Sequence, residues 1–375
     1  MPGALQEKQL NPIVFGRPEL SLIQPISNAI AALPSTRYYG SKRKLLSWIY
    51  ENIRGLEFQT VLDLFGGTAS VSLLLKAMRK TVTYHDGFRF NEDVGRTLLS
   101  NMPALTRLDL VNFLARVVPR RGLISELFAG IYYTDEENAW LDGIANQLNE
   151  TTLPAAEISL LRYLLYQACL KKRPFNLFHR ANLHLRTNRE IKRSFGNFAT
   201  WERSFEHHMI QAYDELAIKP SFHKECTILP SRNAEDISNG YDLVYIDPPY
   251  ISLQERYNHD DYWRRYHFLE GLAQYGEWEK LLDPISNIRL LQQPQWMIEW
   301  SRRKTFSDRL YGLIKTHKNS IVVLSYVTNA FPLESEIKRF FEEEFSNVTL
   351  HTREHSHALS RSPRRELLFI GHPRT

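Results

Sequence analysis

The sequence lacks the features that define several large classes of protein. Only two of its 375 residues are cysteines, Cys169 and Cys226, so neither a disulfide framework nor a four-thiolate zinc site is expected, and a reducing cytoplasm is the simpler compartment. No apolar stretch approaches the ~20 residues of a membrane-spanning helix. The first 33 residues contain no basic segment followed by an apolar run, so no export signal is predicted.

Phosphate-binding and hydrolytic motifs are also missing. There is no glycine-rich run followed by Lys and Ser or Thr, which would cradle the phosphates of a nucleoside triphosphate. No spacing typical of a zinc site or a nucleophilic triad occurs, and no metal is predicted. Charge is nearly balanced, with 47 Lys and Arg against 42 Asp and Glu and a formal net charge of +5. This small excess permits a polyanionic partner, so local clusters of cations matter more than the total.

The sequence does contain an alternation of strand and helix patterns. Apolar spacing predicts a helix over 44–54 and a buried strand over 60–65, which runs into a tight turn at 66–68. A helix over 69–78 and a strand over 81–86 complete a strand–helix–strand unit, and such a connection requires parallel strands. Further strands are predicted at 227–229, 242–247, 320–325 and 366–370.

The middle of the chain has a different pattern, because strand signals vanish between about 104 and 220. Thr134 to Glu137 form a capping box that predicts a helix toward Asn149. Apolar residues at helical spacing predict a second helix that ends near Lys172. The predicted organisation is an N-terminal arm at 1–35, a catalytic domain at 36–104 and 221–375, and a mainly helical insertion at 105–220.

Four residues around the first glycine turn are candidates for cofactor binding, namely Asp63, Gly66, Gly67 and Asp86. They follow strands at the edge where open α/β sheets bind nucleotide-like ligands. Glycine lets a ligand approach the backbone because it has no Cβ, although any such turn needs small residues. The site lacks the dense array of backbone amides that a pyrophosphate requires. A nucleoside ligand without a phosphate chain is therefore favoured, and S-adenosylmethionine fits.

The stretch Asp247-Pro248-Pro249-Tyr250 directly follows an apolar strand. Two consecutive prolines fix the backbone and remove two N–H donors, which leaves the neighbouring carbonyl oxygens rigidly aimed. The Asp247 carboxylate and the Pro248 carbonyl would supply two acceptors for an exocyclic aromatic amine, and Tyr250 a ring on which a base could stack. The alternative is a proline turn that ends a strand, with Tyr250 as part of the core.

The glycine turn and the 247–250 motif, together with six further stretches, resemble the Dam-like, adenine-specific DNA methyltransferases. In that family the cofactor motifs precede the catalytic one, as they do in this sequence. The resemblance covers about 36–371 and leaves the first 35 residues unmatched. It implies a doubly wound, mostly parallel, Rossmann-like methyltransferase α/β sheet with an inserted, mainly helical target-recognition domain. The matching stretches are RYYGSKRKLLSWI at 37–49, LDLFGGTASVS at 62–72, YHD at 84–86, YYTDEENAWLD at 132–142, PFNLFHRAN at 174–182, DPPY at 247–250, YHFLEGLAQY at 266–275 and RRELLFIG at 364–371.

The resemblance also implies roles in cofactor binding. Tyr38 and Lys42 are expected to contact the methionine portion of S-adenosylmethionine, whose carboxylate the lysine can pair with; alternatively, Lys42 is a solvated charge. Asp86 is expected to bind the ribose hydroxyls, and Asp236 to accept a hydrogen bond from the adenine amine. The full expected set is Tyr38, Lys42, Asp63, Gly66, Gly67, Asp86, Asp236 and Asp247.

Asp247, Pro248 and Tyr250 form the catalytic set that the resemblance implies. Two departures from the family pattern occur beside the cofactor motifs. Ala69 stands where a further glycine is common, and His85 stands where asparagine is more usual. Neither departure removes a reacting group, and His85 is interpreted as a packed residue at the end of a strand.

A basic segment is the predicted DNA contact. Residues 160–195 hold nine Lys and Arg and one acidic residue, Glu190. Phosphate contacts position a protein on DNA and base contacts specify the site, and this segment offers side chains for both. A solvated loop is the alternative, and the cluster Arg302-Arg303-Lys304 is similarly ambiguous. The residues predicted to contact duplex DNA are Lys171, Lys172, Arg173, Asn176, Arg180, Asn182, Arg186 and Arg189.

The predicted reaction is transfer of a methyl group from S-adenosylmethionine to the exocyclic amine of adenine in duplex DNA, with the base flipped out of the helix. Adenine in RNA, cytosine and a glutamine side chain are alternative acceptors. A non-catalytic DNA-binding homologue is a further alternative, which the presence of Asp86 and Asp247 disfavours. The stretch YHFLE at 266–270 resembles a subset often linked to restriction-modification, where a cognate endonuclease would be the partner.

Overall fold

A seven-stranded sheet forms the centre of the fold in the computed structural model, which describes residues 26–28, 30–31, 40–101, 103–191, 198–217, 226–253, 261–355 and 364–374. A separate two-stranded sheet pairs Ile251–Ser252 with Ala330–Phe331. The strands are β1 (Thr60–Asp63), β2 (Thr81–Tyr84), β3 (Cys226–Ile228), β4 (Leu243–Ile246), β5 (Ile251–Ser252), β6 (Ile321–Val327), β7 (Ala330–Phe331), β8 (Asn347–His355) and β9 (Arg364–His372).

The strand order of the large sheet is β3-β2-β1-β4-β6-β9-β8. The first five strands run parallel, and β9 is antiparallel to both of its neighbours. The chain leaves β1 for β2 on one side, while β4 lies on the other side. The carboxyl ends of β1 and β4 are therefore a topological switch point, where ligands of open α/β sheets bind.

Helices cover both faces of this sheet, so the strand residues alternate between two buried clusters. Val61 and Val323 pack into one cluster, and Leu62 and Leu324 pack into the other. A parallel sheet needs this double cover. The helices are α1 (Leu46–Ile53), α2 (Ser70–Ala77), α3 (Arg89–Leu99), α4 (Arg107–Ala115), α5 (Leu123–Leu127), α6 (Asp135–Glu150), α7 (Ala155–Lys171), α8 (His184–Thr187), α9 (Phe198–Glu202), α10 (Phe205–Ala217), α11 (Tyr262–Ala273), α12 (Gln295–Ser301), α13 (Arg303–Thr316) and α14 (Glu334–Glu344). In the described ranges, no helix has the length and apolar character needed to cross a membrane.

The α/β class and the mostly parallel sheet confirm the fold predicted from sequence. Every predicted strand is present, with bounds that differ by a few residues, while β5, β7 and β8 were not predicted. Among the described residues between β2 and β3, the regular elements are helices alone. Those helices share one buried cluster with a face of the sheet, so the domain boundaries at 105 and 220 stay a prediction.

Most of the predicted N-terminal arm lies outside the described residues, as does Tyr38. The exceptions are residues 26–28 and 30–31, which are helical. Ile26 is buried in the large core cluster, and Ile30 packs against that cluster. This spacing of four places both side chains on one face of a helix. The described part of the arm is therefore packed against the core.

Three of the stretches that carried the family resemblance meet inside the helical region. The Tyr132 hydroxyl donates to the Phe178 carbonyl at 2.6 Å and lies 2.8 Å from Nε2 of His267. The rings of Phe178 and Phe268 stack with centroids 4.9 Å apart. Side chains from 132–142, 174–182 and 266–275 thus form one buried aromatic cluster, so their sequence pattern has a packing role.

A buried ionic cluster centres on Glu137, the capping residue of α6. Its Oε1 lies 2.7 Å from the Lys172 ammonium and 2.6 Å from the Arg186 guanidinium, and all three side chains are at least four-fifths buried. Glu137 also completes the predicted capping box with Thr134. One carboxylate therefore pairs with two cations, and these pairs link α6 with the ends of α7 and α8.

Glu137→Gln should destabilise the protein by about 3–5 kcal/mol, because it leaves two buried cations without their counter-charge. Urea unfolding monitored by circular dichroism measures the loss. Glu136→Gln is the matched control, since Glu136 is the exposed neighbour in the same helical turn and should change stability by less than ~0.5 kcal/mol. Equal stability of the two variants would contradict the proposed role of the cluster.

Candidate active site

A deep cleft lies at the carboxyl ends of β1, β2 and β4, with about 1100 Å³ of empty space including open solvent. The register explains why it forms there. Asp63 at the end of β1 pairs with Tyr84 on one side and Tyr245 on the other, so the three strands end in one row. Asp86 and Asp247 each follow two residues beyond that row. Three carboxylates from separate parts of the sequence therefore line one cleft.

The glycine turn after β1 is shaped by close packing and by backbone conformation. A Cβ at Gly66 would lie only 2.2 Å from the Tyr84 ring, so this glycine is required by the core itself. Gly67 and Ala69 both have positive φ, at 47° and 55°. The position where Ala69 replaces the more usual glycine is thus a left-handed one, which glycine adopts more easily than alanine. Both glycines line the cleft.

Asp86 is held in place by donors from three directions. Its Oδ2 accepts from Gly67 N at 2.9 Å, and its Oδ1 accepts from Phe88 N and from the Asn91 side chain at 2.9 Å each. Glu270 of α11 accepts from Phe90 N at the start of the same helix, α3. The Asp86 carboxylate therefore has a fixed orientation at the edge of the cleft, and its Oδ2 has capacity for a further donor.

Asp63 is almost completely buried, at 1% exposure. Burial raises the pKa of its carboxyl to about 7, the Ser72 hydroxyl opposes this rise by donating at 2.6 Å, and the charges of Asp247 and Asp86 add to it. A group that ionises near neutral pH thus lies behind the two more accessible carboxylates. The cleft is consequently a place where a cation is electrostatically favoured.

The predicted catalytic carboxylate is tied into a small hydrogen-bonded triangle. Oδ1 of Asp247 lies 2.9 Å from the Lys42 ammonium and accepts from the Tyr250 hydroxyl at 2.7 Å. Lys42 also donates to the Tyr250 hydroxyl at 2.7 Å. Burial and the Asp247 charge raise the pKa of Tyr250, so the phenol keeps its proton and acts as a donor. Lys42 therefore contacts the catalytic motif itself.

Three hydroxyl groups that the sequence analysis did not single out also line the cleft. The Ser41 hydroxyl lies 3.2 Å from those of Thr68 and Ser70, which are 2.8 Å from each other. They connect the loop before Lys42 to the glycine turn. Small hydroxyl residues give no distinctive pattern in sequence, so only the fold could reveal this cluster.

A family model for D12 class N6 adenine-specific DNA methyltransferases matches residues 38–269, more than half of the chain. This protein belongs to that family. The match includes both glycines of the turn and all four residues of the 247–250 motif. A comparison with curated proteins finds no match. The chain is thus an adenine-specific DNA methyltransferase, as the motif order predicted.

In the methyltransferase, Asp236 lies off the cleft, whereas His85 lines it but has both ring nitrogens close to backbone carbonyls. Asp236, expected at the cofactor's adenine amine, is exposed and does not line the cleft, although Arg232 and Ala234 do. His85 is buried, with Nδ1 2.8 Å from the Leu64 carbonyl and Nε2 3.1 Å from the Arg232 carbonyl. It joins the end of β1 to the loop after β3, in agreement with a packed role.

Five of the eight residues predicted to contact DNA are buried, which corrects the sequence prediction. In this structure their side chains are unavailable to a phosphate, because the fold itself uses the cations. Arg173, for example, donates to carbonyl oxygens of Tyr132, Leu177 and Arg180. Lys171 pairs with Glu215 at 3.3 Å. The five buried residues are Lys171, Lys172, Arg173, Asn182 and Arg186.

Arg180 and Arg189 are exposed, as the DNA prediction requires. The Asn176 side chain lies outside the described residues. Arg180 belongs to a basic patch that the sequence prediction did not include, formed with Arg264 and Arg265 around His179. Burial and these cations lower the pKa of His179 to about 4. The patch adjoins the start of α11, whose first residues line the cleft.

Asp63→Asn should flatten the pH dependence of stability of the cofactor-free enzyme. The native carboxyl, with its pKa of about 7, binds its proton more tightly than the unfolded one at 3.8. Raising the pH between these values therefore favours unfolding, by up to about 1.4 kcal/mol per pH unit. Denaturant unfolding from pH 4 to 9 measures the slope. The control Asp308→Asn, on the exposed side of α13, should keep the wild-type slope. A wild-type slope in Asp63→Asn would contradict the raised pKa of Asp63.

Proposed function

We propose that this methyltransferase transfers the methyl group of S-adenosylmethionine to the exocyclic amine of an adenine flipped out of duplex DNA. The observation that carries the proposal is the position of Asp247 and Pro248. Both line the same cleft as the Gly66-Gly67 turn and Asp86. An acceptor pair for the amine and a pocket for the methyl donor thus share one opening, which transfer between bound partners requires.

The residues of the cleft fit such a cofactor. S-adenosylmethionine supplies an activated methyl group on a positively charged sulfonium. Asp63, Asp86 and Asp247 favour a cation in the cleft, while the fixed Oδ2 of Asp86 is available for a ribose hydroxyl. Lys42 and the adjoining hydroxyl cluster of Ser41, Thr68 and Ser70 suit the carboxylate and amine of a methionine portion. This chemistry agrees with a zwitterionic nucleoside better than with a nucleotide.

Asp247 and Pro248 would accept the two hydrogens of the adenine amine. That nitrogen is a poor nucleophile because its lone pair is delocalised into the ring, and two acceptors draw it toward tetrahedral geometry. In the structure, Lys42 and Tyr250 hold Oδ1 of Asp247 in place. These two donors occupy Oδ1 in the structure, and their departure as the cofactor and the base bind would leave this oxygen to accept from the amine.

Tyr250 would stack on the flipped base after a change of side-chain position. Its ring now packs edge-on against Tyr326, with centroids 5.3 Å apart, and it does not line the cleft. When the Tyr250 hydroxyl leaves Asp247, one lone pair of the carboxylate becomes free to accept a hydrogen bond from the adenine amine. Stacking of a base on an aromatic ring is worth about 1–3 kcal/mol, comparable to the contacts that would be lost.

Asp247→Ala should reduce methylation of DNA by about 100- to 1000-fold or more, because a positioned acceptor is lost. Labelled methyl transfer to duplex DNA measures the rate, and mass spectrometry of digested nucleosides should identify N6-methyladenine. The control Asp308→Ala should keep full activity. Retained methylation by folded Asp247→Ala, or label found only in RNA, cytosine or protein, would contradict the assignment.

Duplex DNA would lie across the mouth of the cleft between two basic patches. One is Arg180 with Arg264 and Arg265. The other is Arg302-Arg303-Lys304, an exposed cluster that directly follows the cleft residue Ser301. Arg303 donates to the Leu253 carbonyl at 3.2 Å, and its guanidinium lies 4.5 Å from the Phe331 ring centroid. Arg303 is thus held beside Leu253, three residues beyond the catalytic motif.

Phe175 is the aromatic side chain that we propose to enter the DNA. It is 46% exposed, although it is a large apolar residue. Its φ of 59° is rare for a residue with a Cβ and such backbone strain is concentrated at functional sites. An apolar wedge can fill the space that a flipped base leaves.

The resemblance of the YHFLE stretch at 266–270 to a subset often linked to restriction-modification supports such a role, with a cognate endonuclease as the partner.

Replacing Arg302, Arg303 and Lys304 together by Ala should weaken DNA binding and its salt dependence. Each lost phosphate contact lowers the slope of log K against log salt by about 0.9. Fluorescence anisotropy from 50 to 300 mM salt measures the slope. A control triple replacement of the exposed Lys318, Lys338 and Arg339 by Ala should leave it unchanged. Equal slopes for both triple variants would remove this cluster from the DNA path.

A further inference from the structure

We propose that helix α12 forms the wall on which the adenine of the cofactor stacks, with Trp296 as the main contact. This inference rests on the proposed use of S-adenosylmethionine. It assigns the adenine end of the site to apolar residues that sequence reasoning did not select, in place of the carboxylate of Asp236. Trp296, Met297 and Trp300 of this helix all line the cleft.

The position of α12 follows from its contacts along the sheet edge. At its start, Trp296 and Met297 press on Gly87, where a Cβ would lie 3.0 Å from the indole and 3.1 Å from the Met297 methyl. At its end, Trp300 packs edge-on against Phe65, with ring centroids 5.4 Å apart. The helix therefore crosses from the end of β2 to the end of β1, over the opening between them.

The order of groups along the cleft places the adenine beside this wall. Asp247 marks the end where the methyl group must lie, and Asp86 marks the ribose. Gly87 comes next along the chain, and its missing Cβ brings Trp296 close to Asp86. A planar ring extending from a ribose at Asp86 would thus meet the indole and the Met297 thioether, both of which offer favourable surfaces to an aromatic ring.

The wall is held rigidly, as a binding surface requires. The Trp300 indole N–H donates to Oδ1 of Asn233 at 3.1 Å. Arg309 of α13 bridges Glu299 on α12 and Glu235 on the loop after β3. This clamp also explains the position of Asp236. Asn233 accepts from Trp300 of α12 and Glu235 pairs with Arg309 of α13, while Asp236 itself is exposed.

Helix α12 lies beyond residues 38–269, the part that the family model matches. The adenine end of the proposed pocket is therefore partly built by a segment outside the matched region. Apolar stacking recognises the face of a purine and makes little use of its amine, so the pocket should bind cofactors altered at that amine with little loss.

Binding of S-adenosylhomocysteine, measured by calorimetry, tests the inference without turnover. Trp296→Ala should raise Kd by about 5- to 100-fold, the range for loss of one stacked base, while Trp296→Phe should stay within about threefold of the wild type. Asp236→Ala is the matched comparison and should bind as the wild type does. Circular dichroism and thermal unfolding confirm that each variant is folded.

Tryptophan fluorescence provides a second readout. The ligand should quench the wild-type emission, and Trp296→Phe should lose most of that change, while replacement of the fully buried Trp278 by Phe should retain it. If the wild type binds no S-adenosylhomocysteine or S-adenosylmethionine, the proposed function itself fails. If the wild type binds and Trp296→Ala binds equally well, or Asp236→Ala is the weakened variant, the wall is refuted and the function stands.

Discussion

The parallel register of β2, β1 and β4 is the constraint on which the site depends. Because Asp63 lies in one row with Tyr84 and Tyr245, the residues two positions beyond each neighbour, Asp86 and Asp247, must emerge at the same edge. A one-residue slip would send each side chain to the opposite face of the sheet. Three carboxylates in one cleft are electrostatically unfavourable by themselves. A cationic ligand relieves that repulsion. The same repulsion therefore makes the site selective for a positively charged cofactor.

Much of the fold could be predicted because the strands of a buried parallel sheet are continuous apolar runs, and the 60–86 unit fixes their direction. The catalytic motif was equally accessible, since two prolines after a strand restrict the backbone whatever surrounds them. By contrast, β8 lies at the edge of the sheet, and polar residues such as Thr349 and His351 alternate with its apolar ones. This polar content weakens the sequence signal for a strand. The hydroxyl cluster around Ser41 and the wall at Trp296 depend on tertiary contacts and carry no local pattern.

The buried cations show where charge patterns mislead. A run of Lys and Arg between 160 and 195 has the composition of a DNA-binding surface, but composition does not distinguish an exposed cation from one held by a distant carboxylate. Glu137, more than 30 residues before Lys172, provides the counter-charge here, and backbone carbonyls satisfy Arg173. Long cationic side chains can also pack their stems against aromatic rings. The same segment therefore stabilises the helical region, while Arg180 and Arg189 stay exposed.

Lys42 connects the cofactor side of the cleft to its catalytic side. In the structure it neutralises Asp247 and holds Tyr250 against it. This arrangement is stable because the Lys42 side chain is only 7% exposed, so its charge needs a counter-charge. A bound methionine carboxylate would compete for the same ammonium, and a shift of Lys42 toward it would weaken the hold on Asp247 and Tyr250. Cofactor binding would then prepare the acceptor for the adenine amine and release the aromatic ring that receives the base. This coupling requires no movement of the sheet, since Asp247 and Tyr250 follow the end of β4 and Lys42 reaches them from the short 3-10 helix before α1.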